Sequence, residues 1–194
     1  MVNLTLVSRS LGRAFVNYPI MNFAFQGYTD AEQLQGLTAL WYKVAAASST
    51  YSGVVEVEDG NGAICWLPRN QYPLGLWKEL KSGMITLPFQ VGFRPLSRIV
   101  RHYHESEKYT LEHASANAGW ICVVGVAPEG QGKGHCRRMM ETAIDAMRAQ
   151  GMDEIWLTTD KDVNVTIYKK LGFQVMTEKV ISSSGVKSWT MKYV

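Results

Sequence analysis

Between residues 120 and 136 the chain runs from a nearly continuous apolar stretch into a glycine-rich turn and out into a helix, a strand–turn–helix succession. Trp120 to Val126 is apolar throughout and rich in β-branched residues, the pattern of a strand buried on both faces. Pro128 to Gly134 supplies the turn. A helix follows to about Gln150, with Cys136, Met139, Met140, Ala143, Ile144 and Met147 on its inner face and Gly151 as its stop. Glu154 to Thr159 reads as a second buried strand. Asp162 then caps a helix in which Val163, Ile167, Tyr168 and Leu171 share a face, ended by Gly172. Phe173 to Lys179 and Lys187 to Tyr193 are two last strands, joined through Ser182-Ser183-Ser184-Gly185.

The first half is less regular. Leu4 to Phe15 reads as a helix that ends near Tyr18-Pro19, and Asp30 stands where the N-cap of a second helix belongs. Leu34, Leu37, Thr38, Trp41, Val44 and Ala45 fall on one face of that helix. Tyr51 to Val57 and Ala63 to Leu67 form a hairpin about Asp59-Gly60-Asn61-Gly62, since Gly and Asn tolerate positive φ. Pro68, Pro73, Gly75, Gly83 and Pro88 break up the middle of the chain, around a helical piece at Leu76 to Lys81. Leu96, Ile99, Val100 and Tyr103 mark a further amphipathic helix, and Ser115 to Gly119 reads as a loop. The alternation of helices and strands gives a mixed α/β architecture, and no linker divides it, so residues 1–194 are expected to form a single domain.

Composition narrows the function classes. A net charge of +3 from scattered basic residues does not call for nucleic acid, and no apolar run is long enough to span a membrane. Cys65, Cys122 and Cys136 are odd in number and lack CxxC spacing, which argues against a disulfide framework or a thiolate metal site and for a reducing, cytoplasmic setting. His102-Tyr-His104-Glu105 looks like a ligand cluster, but residues two apart on a helix point in different directions. A solvated surface, or one histidine at an acceptor site, accounts for it, and no metal is expected.

The segment Val124 to Cys136 carries the chemistry. Gly130, Gly132 and Gly134 let the backbone turn sharply and approach a ligand closely. The open N–H groups of the turn and of the following helix form an anion nest, reinforced by the helix dipole and by Lys133, Arg137 and Arg138. A plain tight turn would share these features. The segment is no Walker A loop, because Gly134 follows Gly132-Lys133 where Ser or Thr is required. Nor is it a dinucleotide fingerprint, because Arg137 stands where the last glycine would be. Trp66, Tyr72, Trp77, Phe89 and Phe93 fall in the irregular middle and could wall a pocket for a flat or apolar amine.

Gln131-Gly-Lys-Gly-His-Cys136 resembles the Q/R-x-x-G-x-G/A acetyl-CoA motif of the GNAT N-acetyltransferase superfamily, with Cys136 in place of the last Gly or Ala. Asn164-Val-Thr-Ile-Tyr168-Lys-Lys-Leu-Gly-Phe173 is similar to the same family's second signature, about thirty residues further on. Within the superfamily, Arg13-Ala-Phe-Val-Asn-Tyr-Pro19, Ala63-Ile-Cys-Trp66 and Ser188-Trp-Thr-Met191 resemble the puromycin N-acetyltransferase type.

The resemblance implies a mixed, mostly antiparallel twisted sheet flanked by helices, with a V-shaped splay between its two central strands. Residues 1–118 would be the acceptor side and 119–194 the acetyl-CoA-binding half. Acetyl-CoA as co-substrate would meet Val124, Gly125 and Val126 through its pantetheine arm. Its pyrophosphate would lie on Gln131, Gly132, Lys133, Gly134, His135, Cys136 and Arg137, and Asn164 would orient that end of the site. A neutral amine of a small molecule would attack the thioester, with Tyr168 as general acid. The motif strand holds no acid, so the base is left among Glu112, His113 and a water chain, with Glu112 taken first. A peptide or protein acceptor, and a non-catalytic acetyl-CoA sensor, are the competing readings; a second copy of the chain is a candidate partner. Family members usually begin with a strand, whereas this chain begins with a helix.

Overall fold

The computed structural model describes residues 2–71 and 84–194. The expected helix at 76–81, with Pro73, Gly75 and Gly83 and the wall candidates Tyr72 and Trp77, lies outside the described residues. The helices are α1 (Leu4–Phe15), α2 (Pro19–Ala24), α3 (Asp30–Ser49), α4 (Leu87–Val91), α5 (Phe93–Ser106), α6 (Lys108–His113), α7 (His135–Ala149) and α8 (Asp162–Lys170). The strands are β1 (Val54–Glu56), β2 (Gly62–Pro68), β3 (Gly119–Val126), β4 (Ile155–Thr159), β5 (Phe173–Val180) and β6 (Lys187–Tyr193). They form one six-stranded sheet in the order β1-β2-β3-β4-β6-β5. Only β3 and β4 run parallel; every other neighbouring pair is antiparallel.

The chain does begin in a helix. Asn3 caps α1 by accepting the Leu6 N–H, and Gly12 lets α3 come close, since a Cβ there would sit 2.6 Å from Thr38 Oγ1. Pro19, expected to end a helix, instead opens α2 at its first position, where proline's missing N–H costs nothing. The cap of α3 is Thr29, one residue before Asp30, in a reciprocal box with Glu32. Leu37, Trp41 and Ala45 are buried as expected, while Leu34, Thr38 and Val44 lie at the edge of the stripe and Gln33, Gly36 and Leu40 complete it.

β1 is shorter than its sequence suggests. The N–H groups of Tyr51, Ser52 and Gly53 are taken by Ser48 and Ser49 carbonyls at the end of α3, so they are not free for a strand. The hairpin turn forms as expected, with Gly60 at φ 68° and Asp59 accepting the Asn61 N–H. α5 presents Ile99 inward, but Val100 is 57% exposed and His102 is fully buried, so its packed face is rotated from the one read in the sequence. α6 occupies residues just before the expected loop and was not anticipated.

Two apolar layers enclose the sheet. Along β2, Ala63 and Cys65 face a cluster with α1, α2 and α3, including Leu11, Ile20, Leu37 and Trp41. Ile64 and Trp66 face the opposite cluster, built with Met139, Met140 and Met147 of α7 and Tyr168 of α8. Each such side chain contributes about 1.5–3 kcal/mol by leaving water. Among the described residues no helix is long and apolar enough to cross a membrane.

The feature that positions the site lies between the parallel strands. β3 and β4 pair only from Gly119 opposite Ile155 to Ile121 opposite Leu157, although β3 runs on to Val126 and β4 to Thr159. Beyond Ile121 the two strands part.

Two stability predictions follow from this packing. A Cβ at Gly53 would lie 2.2 Å from the Trp66 carbonyl oxygen, a backbone atom that cannot swing aside. Gly53→Ala is expected to destabilise the fold by about 1–3 kcal/mol in urea denaturation; an unchanged midpoint would mean the α3–β1 corner relaxes freely. Glu154 ties the start of β4 to Lys192, to the Ser115 N–H and to the Trp156 indole N–H. Burial pushes its carboxyl up, but these three partners outweigh burial and hold it below the ordinary glutamate value. Because the folded value is depressed, its stabilisation is complete above the unfolded value, about 4.3, and is lost as pH falls through the folded one. Stability measured from pH 6 to pH 3 should therefore fall less steeply in Glu154→Gln than in the parent.

Candidate active site

Where β3 and β4 part, a cavity of about 30 Å³ opens between Ile121, Cys122, Val123 and Val124 of β3 and Leu157, Thr158 and Thr159 of β4. Its remaining walls are Phe15, Tyr18, Trp41 and Tyr103 from the helices on one side and Asn164 and Tyr168 of α8 on the other. Phe15 stacks obliquely on both Tyr18 and Trp41, with ring centroids 4.7 and 4.9 Å apart. Trp41 Nε1 is buried with no hydrogen-bond partner among the described residues.

A polar network fixes the open end of β4. The Tyr18 hydroxyl accepts the Asp160 N–H at 2.7 Å and shares a hydrogen bond with Thr159 Oγ1 at 3.1 Å. Asn164 donates to the same Thr159 oxygen at 3.0 Å. The Asp160 carboxylate is held by His102 Nε2 at 3.3 Å, and His102 Nδ1 meets Ser184 Oγ at 2.8 Å. His102 and Asp160 are 0% and 6% exposed, so this pair sits inside the protein, not on a solvated surface. Burial, and then the charge of Asp160, push the Tyr18 and Tyr103 phenols above the ordinary tyrosine value. Burial raises Tyr168 well above it too, so its phenol stays protonated through the physiological range and can donate a proton but not accept one.

The glycine-rich turn lies at the far end of β3. Pro128–Gly130 forms a 3-10 turn, Gly132 and Gly134 take φ of 77° and 74°, and Gly134 directly precedes α7. No side chain caps α7, and the N–H of Arg138 is the one that reaches back to the Gly134 carbonyl. The N–H groups before it are the open donors of a helix N-terminus, which favour an anion. Among the flanking charges, Arg137 pairs with Glu141 at 3.5 Å, and Arg13 of α1 pairs with Glu129 in the 3-10 turn.

Side chains in this segment are more engaged than their spacing suggests. His135 is buried, its Nδ1 accepting from Arg138 at 2.8 Å and its Nε2 donating to Asp59 at 3.1 Å, so the imidazole joins α7 to the β1–β2 hairpin. Arg138 also donates to the Lys133 carbonyl, bracing the turn. The Gln131 amide donates to the Val126 carbonyl at 3.3 Å. Cys136 packs against the α7–α8 core, and burial raises its thiol; the lowering expected of a reactive thiol at a helix N-terminus is absent.

The structure thus brings Asn164, Tyr168 and Val124 to one cavity and places Gln131 to Arg137 apart from it, in the turn after β3 and the first residues of α7. Glu112 is not brought to either: it is exposed on α6 in a 3.8 Å pair with Lys108. His113 stacks on Tyr109 on the same helix. Of the aromatic wall read from the middle region, Trp66 belongs to the core, while Phe89 and Phe93 pair edge-to-face at 80% and 67% exposure. The wall is supplied instead by Phe15, Tyr18, Trp41 and Tyr103. Trp41 and Tyr103 were read on the apolar faces of their helices and Phe15 and Tyr18 were not, and position on a helix does not separate a cavity wall from core packing.

Comparison with known proteins agrees with this geometry. Residues 102–176 match the acetyltransferase (GNAT) domain family. An uncharacterised N-acetyltransferase of Schizosaccharomyces pombe is 21% identical over 82% of this chain and 66% of its own length. A mycothiol acetyltransferase of Streptomyces scabiei is 36% identical over 34% of this chain and 22% of its own. The chain therefore spans less than two thirds of each of these relatives. A Desulfovibrio desulfuricans protein assigned to the GNAT family of acetyltransferases shares the fold over 98% of this chain and 91% of its own, with a TM-score of 0.54 and 14% identity. From His102 to Met176, this chain is similar to the GNAT acetyltransferase domain family, and over nearly its whole length it shares the fold of a GNAT-family structure.

Proposed function

We propose that this protein transfers an acetyl group from acetyl-CoA to a primary amine of a small molecule. The observation that carries the reading is the early end of β3–β4 pairing, which leaves strand backbone lining a cleft between Tyr168 and the N-terminal helices. In this reading the pantetheine arm lies along Val124, Gly125 and Val126. The pyrophosphate rests on the N–H groups from Gln131 to Arg137, with Lys133 beside it. The residues suit such a ligand: Gly132 and Gly134 carry positive φ, and a Cβ on Gly132 would meet no heavy atom within 4 Å, so the turn stands open. Asn164, already bonded to Thr159, orients the cleft end of the arm.

The neutral amine forms a C–N bond to the thioester carbonyl, and the tetrahedral intermediate breaks its C–S bond. Tyr168, kept protonated by burial, gives its proton to the departing thiolate, while the surplus proton on the former amine nitrogen passes to water, from which Tyr168 is reprotonated. Holding amine and thioester together in one cleft supplies a large share of the rate, up to about 7–11 kcal/mol in the best-oriented systems. Glu112 has no part here, because its carboxylate pairs with Lys108 on an exposed helix. The finer likeness to the puromycin N-acetyltransferase type rests on three short segments, of which the first contributes Phe15 and Tyr18 to the cavity. Three free cysteines, all with thiols raised by burial, suit a cytoplasmic setting.

Titration calorimetry with acetyl-CoA tests the donor site, and thiol release with a panel of amines and peptides tests the acceptor class. Micromolar acetyl-CoA binding with turnover on small amines is expected; turnover on peptides alone would replace the acceptor half of the reading. Gly134→Val places a β-branched residue at φ 74°, and acetyl-CoA affinity should fall by about tenfold or more. Tyr168→Phe should lower kcat by about 10²–10⁴-fold while leaving acetyl-CoA affinity within a factor of two or so; an unchanged kcat would remove the acid role.

A further inference from the structure

Ser184, His102 and Asp160 form a constellation that the cleft does not use: none of the three lines it. His102 stands on α5, Asp160 directly after β4, and Ser184 in the turn between β5 and β6. Ser184 Oγ lies 2.8 Å from His102 Nδ1, and His102 Nε2 lies 3.3 Å from Asp160 Oδ1. The hydrogens run in one direction. A carboxylate only accepts, so Nε2 carries the imidazole hydrogen and Nδ1 presents a lone pair. The Val186 N–H donates to Ser184 Oγ at 3.2 Å, which leaves the serine's own hydrogen for Nδ1. Hydroxyl, base and orienting acid thus stand in the order that activates a nucleophile. His102 and Asp160 are buried while Ser184 is half-buried, so the hydroxyl is the member nearest solvent. Glu105, one turn along α5 from His102, pins the serine turn by accepting the Ser182 N–H at 2.7 Å and the Ser183 N–H at 3.2 Å.

We propose that Ser184 is an acyl-accepting serine, modified by small acyl groups carried on weakly basic leaving groups, as in a thioester or an aryl ester. The proposal stands apart from the acetyltransferase reading and needs no occupied cleft. Ser184 Oγ forms a bond to the acyl carbonyl carbon as His102 Nδ1 takes the hydroxyl proton. The tetrahedral intermediate then breaks its bond to the leaving group, which receives that proton from His102. Asp160 touches no reacting atom; it is a positioning residue that fixes the imidazole. The N–H groups of the turn set the limits of this chemistry. Those of Ser182 and Ser183 are spent on Glu105, those of Ser184 and Gly185 on the Ile181 carbonyl, and that of Val186 on Ser184 itself. None is left in the turn to hold the oxyanion of an amide or an alkyl ester, so only groups that leave readily react. The product is itself an alkyl ester, so its hydrolysis is slow and the acyl group accumulates on Ser184.

p-Nitrophenyl acetate is the probe, and mass-spectrometric fragmentation of the peptide that carries Ser182, Ser183 and Ser184 reads the site. Ser182 and Ser183 are more exposed than Ser184 but no imidazole hydrogen bond reaches them, so they serve as an internal control on the native chain. Acetyl is expected on Ser184 ahead of both neighbours, and that preference should vanish in urea. His102→Gln should slow acetylation of Ser184 by about a hundredfold or more. Acetylation of Ser182 or Ser183 as fast as Ser184, no acetyl on Ser184, or an unchanged rate in a folded His102→Gln would each overturn the proposal. The first two outcomes are read without any variant and decide the matter if His102→Gln does not fold. A parallel incubation with acetyl-CoA separates the sources: label on Ser184 from acetyl-CoA makes a thioester a donor, and label from the aryl ester alone confines the site to aryl esters.

Discussion

Two parallel strands that pair at three positions and then diverge set the terms for everything around them. A sheet interior normally satisfies its backbone by ladder bonds on both sides, and a break in the ladder must be compensated by other groups. Here the break coincides with the point where helices from both ends of the chain converge. On one side α8 brings Asn164 and Tyr168; on the other α1, the residue before α2, α3 and α5 bring Phe15, Tyr18, Trp41 and Tyr103. The cleft is bounded by side chains that could pack as core anywhere else.

The polar groups at the end of β4 show how such an opening is made tolerable. Tyr18 serves the Asp160 N–H and Thr159; Asn164 serves Thr159; His102 serves the Asp160 carboxylate. Each would be costly if left unpartnered at this depth, and together they specify one geometry for the strand end. Asp160 and His102, both buried, are held to each other at 3.3 Å, and Ser184 fixes the far side of the imidazole.

The sequence is most legible where one element dictates the next. The run from Trp120 to Val126, the glycine turn and the apolar face of α7 are local patterns, and the structure follows them closely. The helix of Asn164 and Tyr168 and the Gly60 turn are placed as read, but that helix packs through Val165 and Tyr168 and leaves Val163 and Ile167 60% and 37% exposed, so its inner face is rotated from the one expected. The N-terminal half resists because its rules conflict locally: Pro19 can stop a helix or start one, and Tyr51 to Gly53 alternate like a strand but spend their N–H groups on the end of α3. His102 is the clearest case. Its neighbours Tyr103 and His104 give no hint of burial, because its partners Asp160 and Ser184 lie 58 and 82 residues away. Glu112 fails as a site residue for the converse reason: its acid is real, but its helix turns it toward Lys108 and solvent.

Those sequence separations bear on how the molecule comes into being. Tyr18 to Asp160 spans 142 residues, and His102 bridges two further segments. Contacts of this range form only after most of the chain has collapsed, since loop closure must be met before they return anything. The glycine cradle, by contrast, is nearly complete within one strand–turn–helix unit. Local contacts of that kind can close before a cavity whose walls come from residues 15 to 168, so the cavity is complete only once the whole chain has folded.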